Sequence, residues 1–128
     1  MNEPDEQVDG LAREVVDAAL EVHRELGPGY LESVYEEALG VELELRGVAF
    51  ERQVPVVVDY KGQSVGEGRL DLLVGGELII ELKAVEALLP VHKAQVLSYL
   101  KATKKQLGLL VNFNVPLIKN GIKRIIHS

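Results

Sequence analysis

The stretch Gly68-Arg69-Leu70-Asp71-Leu72-Leu73-Val74-Gly75-Gly76-Glu77-Leu78-Ile79-Ile80-Glu81-Leu82-Lys83 reads as two apolar strands joined at Gly75-Gly76. A Gly-Gly pair between apolar runs supplies the backbone freedom that a tight hairpin turn needs. Three ionisable residues lie inside these strands: Asp71 on the first, Glu81 and Lys83 on the second. Side chains alternate along a strand, so Glu81 and Lys83 share one face and Leu82 takes the other. A charge in an apolar strand is costly unless it is paired or binds something. A carboxylate from each of two neighbouring strands, with an ammonium two residues on, makes a candidate divalent-cation site. The competing reading is a solvated sheet face with a Glu81–Lys83 salt bridge, worth about 0–1 kcal/mol when exposed.

Outward from this hairpin the chain alternates helical and strand patterns. Leu11, Val15, Ala18, Ala19, Val22 and Leu26 recur at helical spacing, and Gly27-Pro28-Gly29 stops that helix. A second helix is expected over about Leu31–Arg46, with Leu31, Val34, Tyr35, Ala38, Leu39 and Leu43 on its apolar side. Glu36, Glu37 and Glu44 are expected nearer water, and Gly47 closes the helix. The β-branched run within Phe50–Tyr60 predicts a strand, placed near an edge by Pro55, and Lys61-Gly62-Gln63 predicts the next turn. After the hairpin, Pro90 opens a helix to about Thr103. Leu107–Phe113 and Ile122–Ile126 then read as strands, with a loop over Pro116–Gly121. Residues 1–9 read as a frayed lead-in, and 10–128 as a single domain. The first three strands suit an antiparallel meander, and a crossover through the third helix adds a further strand. The expected fold is α/β, a mixed sheet flanked by helices.

The 128 residues suit one core, and 47% are apolar, which argues against global disorder. Without cysteine, disulfides, thiolate zinc sites and cysteine nucleophiles are excluded. The acidic, polar start lacks the pattern of a signal peptide, and no apolar run suits a membrane helix. A cytoplasmic protein without a membrane partner is the expectation. The net charge of −6 argues against nucleic acid, but its distribution does not. From Val91 to Ser128 there is no Asp or Glu, whereas Lys93, Lys101, Lys104, Lys105, Lys119, Lys123 and Arg124 all fall there. Those cations either give one face for phosphates or simply solvate a helix and two loops.

Phosphodiester hydrolysis needs a Lewis acid, an activated water and stabilisation of developing charge. Mg²⁺ binds through few carboxylates and keeps waters. Asp71 and Glu81 suit it as ligands, with the Leu82 carbonyl as a possible addition, and Lys83 suits a water or a phosphate. An acid-x-Lys triplet alone carries little information, and Asp59-Tyr60-Lys61 is a second copy, read as turn chemistry. Glu32 opens the second helix, with Tyr35 and Glu36 on the same side. It is either a dipole-favoured first-turn acid or a third carboxylate for the site. Gln95 and Tyr99 face one way on the third helix and could bond a phosphate or base, or cover a neighbouring strand. His92 and His127 lack partners at metal spacing, which argues against zinc. No phosphate-cradling glycine loop and no nucleophile elbow is present.

The segment Val22-His23-Arg24-Glu25-Leu26-Gly27-Pro28-Gly29-Tyr30-Leu31-Glu32-Ser33-Val34-Tyr35 closely resembles the signature of the GxxExxY protein family, a branch of the PD-(D/E)XK nuclease-like superfamily. The resemblance extends from about Leu11 to Ile126. It implies a restriction-endonuclease-like core and a nuclease dependent on Mg²⁺ or Mn²⁺, with nucleic acid, DNA more than RNA, as partner. It implies Glu32 as helix acid, Asp71 as strand acid and Glu81 with Lys83 as the acid-x-lysine pair; all four would be catalytic, the three acids as metal ligands. Gln95 and Tyr99 match a Gln-x-x-x-Tyr element of RecB-type nucleases, and with Tyr35 they would position the substrate. Lys93, Lys101, Lys104 and Lys105 would follow the nucleic-acid backbone. Leu70 stands where the superfamily name has proline. So small a chain suggests a homodimer or a larger complex, and a non-catalytic binding module on the same fold is the alternative.

Overall fold

The computed structural model describes residues 4–127. Helix α1 (Glu6–Leu26) is followed by α2 (Glu32–Leu45), strands β1 (Phe50–Tyr60), β2 (Gln63–Val74) and β3 (Leu78–Lys83), helix α3 (Pro90–Thr103) and strand β4 (Leu107–Asn112). A 3-10 turn (Ile118–Gly121) leads into β5 (Ile122–Ile126). The strands form one five-stranded sheet in the order β1-β2-β3-β4-β5. Only β3 and β4 run parallel, joined by the α3 crossover, and the other neighbours are antiparallel. This is the expected α/β fold with a mixed sheet, and β1 with Pro55 is an edge strand. No described helix is long and apolar enough to cross a membrane.

The central pair is apolar on both sides because each face meets helices. Leu78, Ile80 and Leu82 of β3 pack with Leu107, Leu109 and Val111 of β4 against α1 and α2, where Val15, Ala18, Tyr35 and Leu39 are fully buried. Ile79 and Leu110 point the other way and pack against Val96 and Leu100 of α3. All six residues of β4 are buried, the pattern of a strand covered on both faces. Gly108 lets α3 come close, since a Cβ there would lie 2.7 Å from Val96 Cγ1. At Gly75 and Gly76, φ is 60° and 70°, so glycine provides the left-handed turn that closes the β2–β3 hairpin.

Three local expectations change. Helix α1 begins at Glu6, within the expected lead-in, because Asp5 caps it by accepting a hydrogen bond from the Val8 amide at 3.1 Å. Val8 is buried, and Asp9 pairs with Arg124, which fixes this first turn. Residues 1–3 of that lead-in lie outside the described part. In α2 the buried stripe is Tyr35, Leu39 and Leu43, whereas Leu31 and Val34 are exposed. Glu36, expected near water, is buried.

Candidate active site at the parting of β2 and β3

The β2–β3 ladder runs from Val74–Leu78 through Leu73–Ile79 to Leu72–Ile80 and stops there. At the next position the strands are tied by side chains. The Asp71 amide donates to Glu81 Oε2 at 2.9 Å, and the Leu82 amide donates to Asp71 Oδ2 at 2.7 Å. Each carboxylate thus satisfies an amide of the opposite strand that the ladder has released. The sequence pairing of Asp71 with Glu81 across the hairpin therefore corresponds to direct geometry.

Strand β2 parts here because the β1–β2 ribbon turns over at the same level. Leu72 packs on the α1/α2 side while Leu70, two residues earlier, packs on the α3 side. A regular strand would put both on one face. Pairing with β1 also omits this level: Arg52 pairs with Leu72 and Val54 with Leu70, leaving Gln53 and Asp71 between them. Gln53 has φ of 54°, an uncommon backbone for a residue with a side chain. Beyond the twist the ribbon folds over α3, where Gly68 receives Tyr99: a Cβ there would lie 2.7 Å from the Tyr99 ring.

Electrostatics distinguish the carboxylates. Glu81 is only 4% exposed, and burial, with the Asp71 charge next, pushes its carboxyl up to about 8. The Asp71 amide and Lys83 oppose that rise. Asp71 is half-buried and also raised, mainly by burial; the Leu82 amide opposes it, and the Glu36 charge adds to it. Glu32 is raised by burial first and then by Asp71, while Lys83 draws it down. A group of acids whose charged forms are disfavoured has surplus negative charge for a cation to neutralise. The competing surface-pair reading does not hold, since Glu81 is buried and no Glu81–Lys83 ion pair forms among the described residues.

Among the described residues, no three His, Cys, Asp or Glu side chains gather closely enough to hold one metal ion. Asp71 and Glu81 are the two that interlock; Glu32 senses the Asp71 charge without joining them as a third ligand among the described residues. Two carboxylates still fit a hard divalent cation that retains waters.

The other candidates divide by position. Lys83 ends β3 half-buried, its carbonyl accepting the Phe113 amide at 3.0 Å. Gln95 is exposed on α3, with its amide 3.4 Å from the Tyr99 hydroxyl. Tyr35 is corrected. It is fully buried, stacked on Phe113 with ring centroids 4.5 Å apart. Its hydroxyl donates to the Gly27 carbonyl at 2.6 Å and accepts the Tyr30 amide at 3.2 Å. No surface remains for a substrate; Tyr35 instead pins the α1–α2 turn, and with it the start of α2 at Glu32. Tyr35→Phe is expected to lower stability by about 1–2 kcal/mol in denaturant unfolding. Lys93 lies in the first turn of α3, after the loop that follows Lys83. Lys101, Lys104 and Lys105 sit beside the start of β4, where Leu107 pairs with Leu78, while Asn112 pairs with Lys83 at the other end. The four lysines do not form one track beside the carboxylates.

Arg52 and Gln53, not singled out in the sequence, and Glu36, read there as a companion of Glu32, complete the surroundings. Glu36 accepts from Arg52 Nε at 3.1 Å and from Gln53 Nε2 at 2.9 Å. The sequence sign for Arg52 and Gln53 was the polar run Glu51-Arg52-Gln53 ahead of the valines of the same strand. Comparison with curated proteins gives no match. The family model of the PD-(D/E)XK nuclease superfamily matches residues 9–125, which span both carboxylates, Lys83 and the whole sheet but for the last residue of β5, and the chain belongs to that superfamily.

Proposed function

We propose that the protein is a nuclease that hydrolyses phosphodiester bonds with Mg²⁺ or Mn²⁺ held by Asp71 and Glu81. The observation that carries this reading is the interlocked carboxylate pair, Glu81 buried and Asp71 half-buried, at the point where β2 and β3 part. Bound there, the ion would supply a Lewis acid for the phosphoryl oxygen and lower the pKa of a water. The chain's own residues do the rest. Glu81 gives up its proton as a cation binds. Lys83 holds a phosphate oxygen or the attacking water, and Glu32 orients that water from the start of α2. Gln95 and Tyr99 position the strand from α3. Within the superfamily we place the chain in the GxxExxY branch. Its Gly29-x-x-Glu32-x-x-Tyr35 pattern has a mechanical reading here: Gly29 takes φ of 111°, and Tyr35 fastens the turn that sets Glu32.

Lys93 is the backbone-contacting lysine on this reading, with Lys104 and Lys105 too far along the sheet. Lys93→Ala is expected to weaken nucleic-acid binding and reduce the log–log salt slope by about 1. The double change Lys104→Ala/Lys105→Ala should leave both nearly unchanged. Filter binding across a salt series measures this.

The second reading is a nucleic-acid- or protein-binding module that keeps the nuclease fold, favoured because no third ligand joins the pair among the described residues. Incubation with labelled single-stranded, duplex and branched DNA and RNA, with Mg²⁺, Mn²⁺ or a chelator, separates the two. Chelator-sensitive cleavage establishes the nuclease and identifies its polymer, whereas intact substrates throughout favour the module.

A further inference from the structure

We propose that Glu36 and Gln53 form a clamp that keeps β2 parted from its neighbours at Asp71, and so position the Asp71–Glu81 pair for its cation. This rests on the cation-site reading above. Neither residue belongs to the pair itself. Glu36 is 7% exposed, on the third position after Ser33 in α2, and one of its carboxylate oxygens takes the Gln53 amide at 2.9 Å. Its other oxygen is held by Arg52, at 3.1 Å from Nε and 3.0 Å from the terminal nitrogen. Arg52 is further fixed by Glu37 at 2.8 Å. A buried carboxylate with all these donors is a rigid anchor, fastened to α2.

What it anchors is a strained backbone. Gln53 holds φ of 54° at the level where both neighbouring ladders skip Asp71. Its carbonyl takes Arg69 Nη1 at 3.2 Å, and its side chain lies close enough to Asp71 to favour the charged carboxylate. A residue held in the left-handed region is strained and persists only where surroundings over-determine it. With regular φ at Gln53, β1 and β2 would pair across this level, and Asp71 would fall into the ladder's alternation. The tie between α2 and β1 therefore has a task besides cohesion: it keeps the Asp71 side chain turned to the Leu82 amide and beside Glu81.

The test uses the full chain with two variants and two readouts: Mn²⁺ affinity by calorimetry and the thermal midpoint in chelator. Gln53→Gly frees the link but accepts the same φ without strain, so its midpoint should stay level or rise. Its Mn²⁺ affinity should fall about tenfold or more, the usual effect of losing a support behind a metal ligand. Glu36→Gln, which puts an amide against the donors of Arg52 and Gln53, should weaken Mn²⁺ to a similar degree. Folded Gln53→Gly with wild-type Mn²⁺ affinity would overturn the clamp and leave the cation site intact, as would a lowered midpoint alone. Absence of Mn²⁺ binding by the wild type would overturn both.

Discussion

Glu81→Gln is expected to make the cation-free protein more stable at pH 8, by about 4 kcal/mol, while removing its divalent-cation binding. Glu81 begins near 4.5 in the unfolded chain and is pushed up to about 8 in the fold, chiefly by burial. Between those values the native state binds more protons than the unfolded state, so stability falls as pH rises. The sign is that of a raised group: its favourable contribution is complete below about 4.5 and is lost as pH passes through about 8. Each unit of displacement corresponds to about 1.4 kcal/mol, which makes the whole loss about 5 kcal/mol, most of it complete by pH 8. Glutamine cannot ionise but keeps an oxygen for the Asp71 amide, so the variant should show a flatter pH–stability curve. Urea unfolding of wild type and variant from pH 5 to pH 9 checks this. Equal slopes with pH would show that Glu81 ionises in the fold without difficulty, and the charge argument for the site would fail.

Lys83→Ala is expected to lower single-turnover cleavage by about 10²–10⁴-fold with little change in thermal midpoint, the range for a lost proton-transfer or charge-stabilising group. The fold should survive because the structural contact of Lys83 is its carbonyl, bonded to the Phe113 amide, and no salt bridge of its ammonium exists among the described residues. The ammonium is thus available to a phosphate or a water. A variant that cuts at the wild-type rate would remove Lys83 from the chemistry, whatever becomes of the carboxylates.

The organising hairpin was legible because its signals are local: a glycine turn between apolar runs, and a register in which Asp71 and Glu81 face each other. The buried β4 and the crossover helix were legible from composition and Pro90 for the same reason. The phase of α2 was not. Leu31 and Val34 lie within its helical apolar pattern, yet the face that packs is set by Tyr35 stacking on Phe113, a contact between distant parts of the chain. Nor could Glu36 be recognised, because its burial depends on Arg52 and Gln53 arriving from β1. The kink at Gln53 is imposed by those same tertiary contacts, since nothing in a glutamine signals a positive φ. The lysines were grouped by sequence, but α3 extends along the sheet and carries Lys101, with Lys104 just past its end, away from the end where Lys83 lies. Tyr35 shows a further limit. A tyrosine at a suggestive spacing reads as a ligand contact, while its two internal hydrogen bonds make it a fastener.

The central claim is that Asp71 and Glu81 form a cation site whose charge is held back until the cation arrives. Calorimetric titration of the wild type with Mn²⁺ at pH 7, in two buffers of different ionisation enthalpy, measures it together with the same titration of Asp71→Asn. The account predicts Mn²⁺ binding with a buffer-dependent enthalpy, the sign of a proton leaving Glu81, and its loss in Asp71→Asn. Binding that is indifferent to both the buffer and the Asp71 substitution, or no binding at all, would contradict it.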